Sequence, residues 1–176
     1  MALLAFLQPI LASVVAPIHL LSFSALLGSQ LYQSSVVTKV AFATLPRAAY
    51  VSFQKRIFPV YFHGQALLLF LTAVTFPPQG PLSLIQHKSD WIPFAVSGGT
   101  AALNFLVYGP RTRTLMLDRA QQGTLDAKVT GLDGPSPEMA LLKRKFSRAH
   151  AMCIHLNLVS MGALFWYTWR LASRLQ

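Results

Sequence analysis

Four long apolar segments constrain this chain more than any other feature of its sequence. They cover about residues 11–38, 58–76, 91–109 and 149–171, and none of them contains Asp, Glu or Lys. A helix needs roughly 20 apolar residues to cross the hydrocarbon core of a bilayer. We therefore predict an all-α polytopic membrane protein, a four-transmembrane-helix bundle in which residues 1–176 form a single membrane domain.

The composition agrees with a lipid environment. Hydrophobic residues make up 53% of the chain and charged residues only 11%, whereas about a quarter of a soluble domain is charged. The formal net charge of +10 would suit nucleic acid, but the basic residues lie between apolar segments rather than along one polar face. We expect the lipid bilayer, and no nucleic acid, as a partner.

The basic residues predict the orientation. Of the 15 Lys and Arg residues, only Lys88, Arg170 and Arg174 lie outside the connectors 39–57 and 110–148. The positive-inside rule places both connectors in the cytosol and both termini in the lumen or outside the cell. The apolar start of the chain has no basic region before it, so we expect a retained lead-in to the first span rather than a cleaved signal peptide.

Both connectors contain amphipathic stretches. Apolar residues such as Tyr50 and Phe53 are interleaved with basic ones in the first, and the second runs from Pro110 to Gly123. We predict a short amphipathic cytosolic helix in each, attracted to anionic lipid headgroups, with a specific phosphoinositide site as an alternative and a loop over 124–137. The basic residues assigned to this region are Arg47, Lys55, Arg56, Arg111, Arg113, Lys143, Arg144, Lys145 and Arg148.

Polar side chains within the spans are costly in lipid and are expected to face the bundle interior. On the first span, His19, Gln30 and Gln33 share one face of the helix, together with Ser22 and Ser29. That face is too polar for lipid and is predicted to line the bundle centre.

The fourth span gives a similar pattern. His150, Cys153 and Asn157 lie on one side of the helix, while His155 is about 140° from His150 and shares its stripe with Arg148. We expect His150 and Asn157 to approach residues of other spans at the same depth in the cytosolic half. The predicted polar layer, a candidate binding site, comprises His19, Gln30, Gln33, His63, Asn104, His150, Cys153 and Asn157.

Two interpretations of this layer remain open. Histidines and amides within a bundle are commonly hydrogen-bonding core residues that hold helices together. They can also bind a ligand or relay protons. Small residues four apart, Ser24 with Gly28, Ala25 with Ser29, and Gly98 with Ala102, are expected to form close helix contacts, within the bundle or in a homo-oligomer or larger membrane complex.

The motifs HLLSFSALLGSQ, LPRAAYVSFQKRIFPVYFH, GPRTRTLM and KFSRAHAMCIHLNL, in this order, resemble the transmembrane protein 205 family of small four-helix membrane proteins. The likeness covers most of the chain from His19 to Asn157; His155 has no counterpart in the pattern, and 118–138 departs from it. The family pattern corresponds here to His19, Ser24, Gly28, Gln30, Pro46, Arg47, Phe58, Pro59, Tyr61, Phe62, His63, Pro110, Arg111, Thr112, Phe146, Arg148, His150 and Asn157.

This resemblance implies a protein of the endomembrane system, in the endoplasmic reticulum, secretory vesicles or plasma membrane. It also implies a part in cellular resistance to platinum drugs, through transport, sequestration or vesicle traffic. Platinum prefers soft sulfur and nitrogen ligands, so Met152, Cys153, Met161 and the histidines would be its natural contacts.

Three classes of function are compatible with these observations. The first is assistance of small-molecule or metal-drug transport or tolerance, the second a non-catalytic structural subunit or scaffold, and the third a haem- or metal-binding redox protein with His63 and His150 as ligands. We expect no enzyme activity, because the five acidic residues lie outside the spans and Cys153 has no orienting carboxylate. We likewise expect no resident cofactor and no dedicated metal site.

Overall fold

The computed structural model describes residues 2–128 and 134–174, with the backbone alone for 2–12. Four helices in it are long and apolar enough to cross a membrane, Ser13–Thr44, Arg47–Val74, Lys88–Asp126 and Pro137–Ala172. No strand occurs among the described residues. The prediction of an all-α, four-helix membrane protein is confirmed.

The helices follow one another with few breaks. We label them α1 (Ala2–Tyr32), π1 (Gln33–Val37), α2 (Thr38–Thr44), α3 (Arg47–Val74), α4 (Pro81–Gln86), α5 (Lys88–Leu103), π2 (Asn104–Tyr108), α6 (Gly109–Asp126) and α7 (Pro137–Ala172). The first membrane helix is thus α1 with π1 and α2, the second is α3, the third is α5 with π2 and α6, and the fourth is α7.

The predicted cytosolic helices are helical, but they are not separate elements. The only break near the first connector is the extended backbone at Leu45 and Pro46, after which α3 runs without interruption from Arg47 into the second span. Pro110 lies inside the third membrane helix rather than at a free helix start. Both amphipathic stretches are therefore extensions of membrane helices. The predicted loop over 124–137 lies partly outside the described residues.

Each π-helix marks a place where the backbone widens by one residue. In π2 the Gly109 N–H bonds the Asn104 carbonyl oxygen five residues earlier, and the next residue, Pro110, has no N–H to donate. In π1 the Thr38 N–H and hydroxyl both donate to the Gln33 carbonyl oxygen. Single π-turns in long helices often occur at functional sites, and each of these begins with a buried amide residue.

Packing divides the bundle into two unlike halves. The main helix contacts are α1 with α3, α5 with α7, α6 with α7, and α3 with α5. One end of the bundle contains the junction of α2 with α3 and the C-terminal end of α6, and we call it the basic end. The other end contains α4 and Ser173, and we call it the opposite end. The packed core lies toward the opposite end and consists of Phe23, Leu26, Phe76, Leu84, Phe94, Leu164 and Tyr167.

The outer surface is apolar. Side chains such as Leu21, Phe42, Phe70 and Trp169 are more than half exposed, which suits contact with acyl chains rather than water. The small residues Ser24, Ala25 and Gly28 also lie on this outer surface. They do not form the close contact within the bundle that their spacing predicts, since a Cβ at Gly28 would meet nothing within 4 Å. Gly98 does face a neighbour, Leu69 of α3.

Candidate functional site

A cavity of about 930 Å³ occupies the basic half of the bundle and is lined by all four membrane helices. Its volume falls in the range of small-molecule pockets, about 300–1,000 Å³. The cavity exists because the large core side chains are concentrated in the other half of the bundle. A second, apolar groove of about 360 Å³ lies between α3 and α5, and its position suits an acyl chain.

The inner part of the cavity wall is held by Asn157. Its Nδ2 donates to Ser34 Oγ at 2.7 Å, and its Oδ1 accepts from the Tyr61 hydroxyl at 2.8 Å. One amide on α7 thereby joins π1 to α3. Such interhelical hydrogen bonds are the ordinary polar contacts that stabilise membrane bundles.

Three other amides on the wall have polar atoms with no partner. They are Gln33 Nε2, Gln54 Oε1 and Asn104 Oδ1, on residues that are only 8%, 3% and 2% exposed. The Cys153 backbone carbonyl oxygen determines which way the Asn104 amide group points. This oxygen only accepts, so the Asn104 atom 3.2 Å from it is the donor Nδ2 and not the amide oxygen Oδ1. Buried polar atoms of this kind normally have a partner. The three atoms lie just behind the cavity surface, so a bound molecule would reach them after a shift of the side chains.

Aromatic rings cover much of the remaining wall. Phe58 stacks on Phe62 at a centroid distance of 6.1 Å, and His63 meets Phe105 edge to face at 4.8 Å. His150 stacks on Phe146 at 5.4 Å. These rings form an apolar, polarisable surface between the amides and the basic end.

The end of the cavity at the basic end is positively charged. Arg47, Arg113, Arg119 and Lys143 line it, and no Asp or Glu is among the described lining residues. The Arg119 guanidinium lies 4.6 Å from the centre of the Phe146 ring, and its Nε is buried without a partner. The cavity therefore combines a cationic end with an apolar middle and an amide-rich interior.

The structure brings six residues of the predicted polar layer to this one cavity: Gln33, His63, Asn104, His150, Cys153 and Asn157. No hydrogen bond between their side chains occurs among the described residues, although Asn104 Nδ2 donates to the Cys153 backbone carbonyl oxygen. His63 is exposed and donates to its own helix at the Pro59 carbonyl oxygen, and no hydrogen bond joins it to His150 among the described residues. His155 faces outward, as its helical position predicts.

The other two members of that layer lie elsewhere. Gln30 is fully buried and its Nε2 donates to Ser160 Oγ at 3.3 Å, with Ser97 bonded in turn to Ser160. His19 belongs to the packed core: its Nδ1 donates to the Thr72 carbonyl oxygen at 2.8 Å, which leaves Nε2 to accept from the Tyr167 hydroxyl at 2.6 Å. His19 is thus a satisfied core residue remote from the cavity.

Three polar residues at notable positions in the structure are absent from the predicted polar layer. Gln54 and Arg119 lie on the connector segments, which were assigned to headgroup contact, and their role depends on the extensions being continuous with the spans. The spacing Gln54 to Tyr61, two helical turns on one face, was an available signal. Asp90 is fully buried at the opposite end and paired with Arg170 and Arg174, although charge pattern alone placed it outside the span.

No group of three or more His, Cys, Asp or Glu side chains that could hold a metal ion occurs within 2–128 and 134–174. The thiol of Cys153 lies 3.4 Å from the Thr112 hydroxyl on the cavity wall. The chemistry of the site is that of binding through hydrogen bonds, aromatic contact and positive charge.

Comparison with known proteins places the chain in a family. Residues 21–121 match the family model described as a domain of unknown function, DUF4149. A protein of Aspergillus fumigatus named xanthocillin biosynthesis cluster protein D is 39% identical over 171 residues, which cover 96% of this chain and 97% of that protein. No solved structure matches the chain. The four membrane helices and these two matches together show that the chain is a membrane protein that belongs to the DUF4149 family.

Proposed function

We propose that this protein binds a small molecule in the cavity and assists its transport across the membrane or the tolerance of the cell to it, without catalysing a reaction. The observation that carries the proposal is a pocket of ligand size, walled by aromatic rings, in which buried amide atoms lack partners. Seven buried side-chain N or O atoms have no hydrogen-bond partner among the described residues, and four of them belong to residues that line the cavity, whereas Gln30 and Gln65 each have one outside it. The concentration of such atoms at the cavity supports the proposal.

Two similarities to other proteins support a role in handling small molecules. The Aspergillus fumigatus relative is named for a cluster for xanthocillin biosynthesis, and this name connects that relative with the production of a small molecule. The motifs that resemble the transmembrane protein 205 family suggest tolerance of platinum drugs, for which Cys153 and Met161 on the cavity wall offer soft sulfur atoms.

We further propose that the protein resides in the endomembrane system with its basic end in the cytosol. The excess of Lys and Arg at that end supports this orientation. The chain has no Asn-x-Ser/Thr sequence, so an engineered glycosylation site appended after Gln176 reports on the terminus directly. We expect that site to be glycosylated and a site inserted within 129–133 to stay unmodified; the reverse pattern would overturn the orientation.

A cavity-filling pair of variants tests the binding function. Leu158 lines the cavity and Val159 does not, yet both are about half exposed on the same helix, at 54% and 51%. Cells that express the wild-type protein are compared on cisplatin and on a panel of amphipathic toxins with cells that express Leu158→Trp or Val159→Trp. We expect Leu158→Trp to abolish the change in tolerance and Val159→Trp to retain it, at equal protein levels.

Equal activity of both variants would argue against a role for the cavity. An alternative function as a non-catalytic membrane scaffold is favoured by the small-residue face of Ser24, Ala25 and Gly28, which lies exposed on α1. On that account Gly28→Leu, and not Leu158→Trp, would abolish the cellular effect and would also reduce self-association in cross-linking.

A further inference from the structure

We infer that the molecule held in the cavity is an anionic amphiphile, with a phosphate or carboxylate group at the basic end and a hydrogen-bond donor at the inner end. This inference rests on the proposed binding function and names the chemical class of its ligand. It follows from where charge, apolar surface and unpaired polar atoms lie along the cavity.

Most of the uncompensated positive charge lies at the basic end, which carries 12 of the 15 Lys and Arg residues. The described ion pairs all involve Asp90 at the opposite end of the bundle, so Arg47, Arg113 and Arg119 have no acidic partner among the described residues. Lys143 lies within electrostatic range of Asp126 and is less available. Three arginines around one opening favour an anion with several oxygen atoms, because guanidinium groups bind carboxylate and phosphate in pairs of hydrogen bonds.

Arg119 has the best position to bind that anion. Its guanidinium is held over the Phe146 ring, which fixes the group while leaving its donors free. Its Nε is buried and unpartnered. Helical side chains lean toward the N-terminus of their own helix, and for α6 this direction leads into the cavity. An anion in the cavity would bind the terminal N–H groups of the guanidinium, which donate to no acceptor among the described residues.

The apolar lining of the middle of the cavity argues against a small inorganic ion as the ligand. Phe58, Phe62, Phe105 and Leu158 line it, and this surface would gain nothing from phosphate or chloride. Asn104 and Arg119 lie on one continuous helix, 15 residues or about 22 Å apart at 1.5 Å per residue. A ligand that reaches from the arginine toward the amide is therefore elongated and largely apolar.

The inner end determines what the far end of the ligand carries. The orientation of the Asn104 amide is fixed, and its Oδ1 is an acceptor with no donor among the described residues. The atom lies just behind the cavity surface, where a shift of the side chain would bring it to a ligand. A hydroxyl or N–H group on the ligand would satisfy the Asn104 acceptor. An alkyl chain that ends in a methyl group would leave that acceptor unpaired, as it is in the free protein, and would gain no affinity from it.

Binding to the full-length protein in phosphatidylcholine nanodiscs, measured by native mass spectrometry, tests the inference. The probes are dodecyl phosphate, its ω-hydroxy derivative, neutral dodecanol, short-chain phosphatidic acid and inorganic phosphate. We expect both dodecyl phosphates to bind more tightly than dodecanol, and the ω-hydroxy form to bind best. Phosphatidic acid as the tightest probe would identify a lipid as the source of the anionic group, and dodecyl phosphates as the tightest would identify a soluble amphiphile; either supports the inference.

Variants locate the two ends of the ligand. Arg119→Gln is expected to weaken dodecyl phosphate roughly tenfold or more, whereas Arg144→Gln, an exposed arginine at the same end that does not line the cavity, leaves it unchanged. Asn104→Leu is expected to remove the preference for the ω-hydroxy form. Arg113→Gln serves as the second test of the anion contact if Arg119→Gln does not fold, as judged by thermal unfolding.

The results that would contradict the ligand class differ from those that would contradict the binding function. If dodecanol binds as tightly as dodecyl phosphate and Leu158→Trp still blocks it, the anion inference is wrong and the binding function stands. If inorganic phosphate competes for Arg119 as well as the amphiphiles do, the apolar part of the inference is wrong. If no probe binds in a way that Leu158→Trp removes, both the inference and the proposed function fail.

Discussion

At the scale of single residues, the bundle depends on a few polar side chains that each join two helices. Asn157 uses both ends of its amide, toward Ser34 and Tyr61, and His19 uses both ring nitrogens, toward Thr72 and Tyr167. In lipid such contacts have no water to compete with them, yet each contributes only about 0.6–2 kcal/mol because the separated helices find other partners. Their main effect is to fix which faces of the helices meet.

The Asn157→Leu variant tests this role. Loss of both hydrogen bonds leaves the Tyr61 hydroxyl without its acceptor, so we expect a loss of about 1–2 kcal/mol in the free energy of unfolding. The measurement is unfolding of the purified protein in detergent by denaturant or heat. His155→Leu, on the exposed face of the same helix, is the control and should change stability little. Equal losses for the two variants would show that Asn157 has no special structural role.

At the scale of elements, the first and third membrane helices each contain a π-helix beside the cavity. Each inserts one extra residue next to a cavity-lining amide, Gln33 or Asn104. In π2 the widening depends on the absence of a side chain, since a Cβ at Gly109 would lie 2.5 Å from the Asn104 carbonyl oxygen and 3.1 Å from the Phe62 ring. The position of Asn104 is therefore determined by a glycine five residues away.

We expect Gly109→Ala to destabilise the protein by about 1–3 kcal/mol, because backbone rather than a flexible side chain must move to admit the methyl group. Gly99→Ala on the same helix is the matched control. A Cβ there meets nothing within 4 Å, and alanine favours a helix over glycine by about 1 kcal/mol, so its effect should be neutral or stabilising. Unfolding in detergent distinguishes them, and a neutral Gly109→Ala would contradict the π2 geometry.

The sequence predicted these elements better than it predicted their contacts. Hydropathy and length gave four membrane helices, and the helical period identified the inward face of the first span that carries Gln30 and Gln33. It could not show that α3 begins as early as Arg47, because apolar content measures the part of a helix within lipid and not the helix itself. Nor could it pair Asn157 with Tyr61, since the rotation of one helix against another is set by packing across the whole bundle.

At the scale of the whole molecule, the described side chains fill one half of the bundle and leave a cavity in the other. The aromatic core and the pairs between Asp90 and Arg170 and Arg174 fill the opposite end, whereas the basic half holds the cavity. A molecule that enters from the basic end meets packed rings before it could cross the membrane. Transport would therefore need the core around Tyr167 to open, while binding and sequestration would not.

An experimental structure of the protein in phosphatidylcholine nanodiscs would show whether this asymmetry exists. We expect an open space between Asn104 and Arg119, bounded by α2, α3, α6 and α7, that contains density for a bound molecule in contact with the arginine. A structure in which Phe62 and Leu158 meet and the helices close on one another, with the unpaired amides bonded across the gap, would contradict it.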